Sequence, residues 1–136
     1  MIADIKARVL AARQFSVTVG PDSARTVQLL EPTTHDVRLA SLRAGLGGLQ
    51  DQAALAVLER TLLVDAITGW SGITAADLLA NHPEQAAKAG DEAVAFEPGG
   101  AELLLDAQPA WSQALWAEML ERLAKRGSKR EDAAKN

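Results

Sequence analysis

The stretch from roughly Asp51 to Thr68 reads DQAALAVLERTLLVDAIT. At helical spacing Leu55, Leu58, Leu62 and Ala66 share one face, and Val57, Leu63, Val64 and Ile67 fall on others. A helix that is apolar nearly all round has to be surrounded. The pattern therefore predicts a central helix with the rest of the chain packed about it. At 136 residues, 48% hydrophobic and 24% charged, the chain suits one domain. A chain of that length buries roughly two-thirds of its unfolded surface.

The elements around this helix are read from changes of period. Ile2, Ile5, Val9 and Ala12 recur at threes and fours, one helical stripe with Lys6, Arg8 and Arg13 off it. QFSVTV then alternates apolar Phe15, Val17 and Val19 with Ser16 and Thr18, the period-two mark of a half-buried strand. GPDS is turn chemistry, since Pro fixes φ and Asp can close an Asx turn. RTVQLL reads as a second strand. A hairpin at about 15–30 is predicted, which must pack on helices because a lone hairpin is marginal in water.

After Glu31 the pattern is helical. Thr33 and Asp36 make an approximate capping box after Pro32, opening a helix to Ala44 that stops at Gly45. Thr74 and Asp77 repeat the signal before AADLLAN, which His82-Pro83 ends. PEQAAKAGDEA reads as a polar surface excursion. Pro98 and Pro109 frame a short Leu-rich helix, and Pro109 suits the first turn of the last helix. That helix carries Trp111, Leu115, Trp116, Met119, Leu120 and Leu123 to about Arg126. The fold class is mainly α (α+β): one mostly helical domain over 1–126 with a small N-terminal antiparallel β-hairpin. Residues 127–136 are expected as a flexible charged tail.

Trp70 follows Gly69 where the central helix is expected to stop. If Gly69 is the left-handed residue closing that helix, Trp70 folds back over the last turn near Val64 and Asp65. A partner-facing Trp70 is the other reading. The last helix poses a similar choice. Its apolar arc covers about half the circumference, wide enough for one edge to face a partner. The candidate partner-binding residues are Trp111, Leu115, Trp116 and Leu120.

Little points to chemistry. The chain has no Cys or Tyr and two His, His35 and His82. Neither His has a His or Cys neighbour at ligand spacing, so no metal site is expected. GLGG at Gly45–Gly48 lacks the GK[ST] ending of a phosphate loop and follows no strand. Asp91, Glu92, Glu97, Glu102 and Asp106 are spaced as solvated helix starts. No catalytic residues and no cofactor are assigned, and a non-enzymatic protein is expected. The net charge of −4 argues against a nucleic-acid partner. No run approaches the roughly 20 apolar residues of a membrane span, and MIADIKARVLAARQ lacks a signal peptide's apolar block.

The ordered set FSVTV, VQLLEPTTHDV, ITGWSGI and AVAFEPGGAELLLDAQPAW resembles the tail assembly chaperones of long-tailed bacteriophages. The resemblance spans about Phe15 to Arg126. This chain departs from the pattern in the length of ITAADLLANHPEQAAKAGDEA. The resemblance implies a helical, non-enzymatic protein of the host cytoplasm. It would coat the tape-measure protein, assist polymerisation of the tail-tube protein, self-associate, and be absent from the finished virion. The alternative is a small tail-completion or connector protein retained in the particle.

Overall fold

The computed structural model describes residues 1–45 and 52–135, with side chains placed through residue 127. The order is α1 (Ile2–Arg13), β1 (Gln14–Val19), a 3-10 turn (Pro21–Ser23), β2 (Arg25–Leu30), α2 (Thr34–Arg43), α3 (Gln52–Ala66) and β3 (Ile67–Ser71). Then come α4 (Ala75–Leu78), α5 (Pro83–Ala89), α6 (Gly100–Ala107) and α7 (Pro109–Lys135). Helices dominate, beside one antiparallel sheet of order β1-β2-β3.

The alternation in the sequence becomes two faces of that sheet. Phe15 stands opposite Leu29, Val17 opposite Val27, and Val27 opposite Trp70. These side chains point into a core shared with Leu62 and Leu63 of α3, Leu104 and Leu105 of α6, and Leu115 and Met119 of α7. Gln14, Ser16, Thr18, Gln28 and Thr68 face outward. In the connecting turn Asp22 and Ser23 both take left-handed φ.

Both capping boxes are formed. Thr33 Oγ1 accepts from the Asp36 amide at 3.0 Å while Asp36 accepts from the Thr33 amide at 2.8 Å. Thr74 and Asp77 do the same at 3.1 and 2.9 Å. Each box satisfies two amides that a helix start would otherwise leave unpaired. The second helix ends at Ala44 and Gly45, whose φ is +68°. The rest of the GLGG stretch, Leu46, Gly47 and Gly48, lies outside the described residues.

Four expectations are corrected. First, the central helix ends at Ala66, and Ile67–Ser71 form β3. Val27 lies across from Trp70 and Gln28 from Gly69, so the pairing groups of β2 take what a local reading gives to the helix. Second, α3 is not enclosed along its length. Leu62, Leu63 and Ala66 are buried, but Ala53, Ala56 and Val57 in its first half are exposed. Third, PEQAAKA is helical as α5, with Pro83 in its first turn. Fourth, the last helix does not stop near Arg126; α7 runs to Lys135. Gly127 weakens that helix by about 1 kcal/mol relative to Ala, but Lys, Arg, Glu and Ala around it are good helix formers.

Candidate interaction surface

Trp70 is a core residue held by a different device from a helix-end staple. Gly69 does not take positive φ; it lies within β3. The indole is 9% exposed. Its Nε1–H donates to the Val94 carbonyl at 2.7 Å, and Phe96 meets it edge-on with ring centres 5.0 Å apart. The segment after α5 is thus pinned over the ring. Gly72, with φ +79°, lets the chain turn out of β3 against the Ala24 carbonyl, where a Cβ would approach to 2.7 Å.

The same corner carries a fork-like ion pair that the sequence pattern did not reveal. Arg25 Nε donates to Asp77 Oδ2 at 3.0 Å, and Nη2 to Oδ1 at 3.2 Å. The hydrogen bond to Asp77 raises the Arg25 pKa. Burial by itself would raise the Asp77 carboxyl, but the Arg25 fork and the Thr74 amide and hydroxyl outweigh it and hold it below its ordinary value. The pair ties β2 to α4, so this face is a structural joint.

The four candidate residues of α7 separate. Leu115 is completely buried and belongs to the core, so it is withdrawn as a partner contact. Trp111 and Trp116 are half-buried against the core. Leu120 is 47% exposed. The accessible edge of this helix is therefore Trp116 with Leu120. On the inner side Arg122 lies over the Phe15 ring at 4.3 Å and bonds Glu31 at 3.5 Å.

A larger uncovered surface lies at the other end of the chain. α1 contains no buried residue. Ile2 is 66% exposed, Ile5 47%, Val9 50% and Leu10 45%. The helix forms as the periodicity predicts, but its apolar residues are not confined to one side, Leu10 lying off the Ile2–Ile5–Val9 line, and nothing among the described residues covers them. No loop separates Arg13 from Gln14, and Arg13 is fixed on both sides: its carbonyl accepts from the Glu31 amide and its Nε donates to the Glu31 carbonyl, each at 2.8 Å. The helix leaves the sheet at a set angle.

A groove of about 320 Å³ lies where α3, α6 and α7 meet, lined by Ala56, Leu63, Leu105 and Pro109. Glu59 borders it, has no ion pair among the described residues, and its carboxyl is pushed up by burial. His35 and His82 are both exposed. Among the described residues no three His, Cys, Asp or Glu cluster as metal ligands. Among them, too, no helix is long and apolar enough to cross a membrane. The chain is matched by no family model, no curated protein and no solved structure.

Proposed function

We propose that this protein is a tail assembly chaperone of a long-tailed bacteriophage. It binds the tape-measure protein in the host cytoplasm, self-associates along it, and promotes assembly of the tail-tube protein around it without catalysing a reaction. The observation that carries the reading is the uncovered apolar stripe of α1, joined by the Trp116–Leu120 edge of α7. With two separate apolar surfaces, a small body can join its own copies through one and grip a long helical client at many places through the other. Each contact can then be weak, because repetition supplies the strength.

The test is co-expression with the very long reading frame of the same genome and with the tube subunit. The expected result is a soluble tape-measure protein that co-purifies with this chain. Tubes should then form around the tape measure and release the chain. Retention of the chain in finished particles at fixed copy number would replace this reading with that of a tail-completion or connector protein. Binding to neither protein would end both.

A further inference from the structure

Two apolar surfaces of this chain are left open, and they differ in charge. The α1 stripe runs through Ile2, Ile5 and Val9. With 3.6 residues per turn, Lys6 lies along one side of it and Arg8 along the other. Arg8 is paired with Asp4 at 3.3 Å; Lys6 has no ion pair among the described residues. The groove between α3, α6 and α7 has an apolar floor; at its rim stand Arg60, paired with Asp106 at 2.7 Å, and Glu59, which has no ion pair among the described residues.

We propose that α1 of one copy seats along the α3–α6–α7 groove of a second copy, with Lys6 reaching Glu59. The occupant follows from three constraints. The chain cannot fold α1 back on itself, because α1 joins β1 without a loop and Arg13 is tied to Glu31 and Asp36. Two copies of α1 laid face to face offer Lys6 no free carboxylate, because Asp4 is already paired with Arg8 at 3.3 Å. The groove offers one, since Glu59 has no ion pair among the described residues while Arg60 beside it is held by Asp106 at 2.7 Å. It admits side chains but not a helix about 10–12 Å across, so α1 lies along it and inserts Ile5 and Val9.

Donor and acceptor surfaces are different, so the contact is head to tail. Each added copy leaves one free helix and one free groove, and growth continues unless the geometry closes a ring. This contact deepens the self-association in the function proposed above and rests on that reading for its biological purpose. Its test reads assembly and not client solubility. If the variants below lose assembly and the wild type fails to hold the tape-measure protein, the contact stands and the chaperone reading falls.

The experiment is sedimentation velocity of the full-length protein over a range of concentrations. Assembly should grow with concentration. Val9→Glu should weaken it by about tenfold or more, as expected for loss of a central contact, with the circular dichroism unchanged because α1 buries nothing. Lys6→Glu should weaken it, and Lys6→Glu combined with Glu59→Lys should restore it. The chain has no cysteine, and Gln113 of α7 also lines the groove, so a mixture of Val9→Cys and Gln113→Cys proteins should form a disulfide-linked heterodimer that neither forms alone. A monomer at all concentrations, a charge swap that recovers nothing, or rapid crosslinking of Val9→Cys with itself would overturn the proposal.

Discussion

Gly100 lies against the indole of Trp70, so close that a Cβ there would stand 2.8 Å from Cη2. The ring is fixed by β3 beneath it, by Val94 through its N–H and by Phe96 at its edge. Gly100→Ala should therefore cost about 1–3 kcal/mol, the range for overpacking. Trp70→Ala should cost about 3–5 kcal/mol. Urea unfolding measures both. An unchanged midpoint for Gly100→Ala would mean that the ring moves freely.

The two capping boxes should respond unequally. Loss of a Thr cap costs about 1 kcal/mol in general. Thr33→Ala should fall near that figure. Thr74→Ala should cost more, since Thr74 is buried and its partner Asp77 also holds Arg25. Thr74→Ser should recover most of the loss. Equal effects at the two sites would show that the Arg25 joint is independent of the cap.

Acid should weaken the fold through Asp36 and Asp77. The Thr33 amide bond, aided by its hydroxyl and by Arg13, lowers Asp36 despite burial, and Asp77 is lowered as described above. A carboxyl with a depressed folded pKa stabilises fully above the ordinary value of 3.8. That contribution drains away as pH falls from there through the folded value. Asp77→Asn should thus be destabilising at pH 7, with the gap to wild type narrowing below about pH 4. A gap constant from pH 7 to pH 2.5 would show that ionisation of Asp77 contributes nothing.

On α7 the buried and exposed leucines should part company. Leu115→Ala should cost about 2–5 kcal/mol. Leu120→Ala should stay within about 0.5 kcal/mol, yet Leu120→Glu should reduce capture of the tape-measure protein. Paired thermal melts and pull-downs read this contrast. Full capture by Leu120→Glu would move client binding away from this edge.

Removing Ser128–Asn136 should leave the thermal midpoint nearly unchanged while lowering helical circular dichroism. That end of α7 is charged and carries no apolar stripe. A large fall in midpoint would show that it packs on the body.

What the sequence disclosed follows the range of the interactions involved. Thr33 with Asp36 and Thr74 with Asp77 act within one turn, so both boxes were legible. The hairpin pattern was local as well. The local pattern assigns Ile67 to the central helix and Trp70 to its cap instead of to β3, because helix and strand compete there. The winner is decided by Val27 and Leu29, about 40 residues earlier in the chain. Periodicity found α1 and α3 as helices, but it reports where the apolar residues lie and not what covers them. Burial of Leu115 beside exposure of Leu120 depends on where α7 crosses the sheet. Arg25 and Asp77 are separated by 52 residues, and neither carries a local mark of the other.

The middle strand of the sheet takes one partner from next door and the other from far away. β1 reaches β2 across a tight turn, whereas Thr68 bonds Gln28 over 40 positions. A ribosome adds about 5–20 residues per second, so the far edge of β2 waits roughly 2–8 s for its neighbour to be made. During that interval the nascent hairpin presents an open strand to anything in the crowded space outside the exit tunnel. Short strands and outward Thr and Gln side chains limit how well a stranger can take that place.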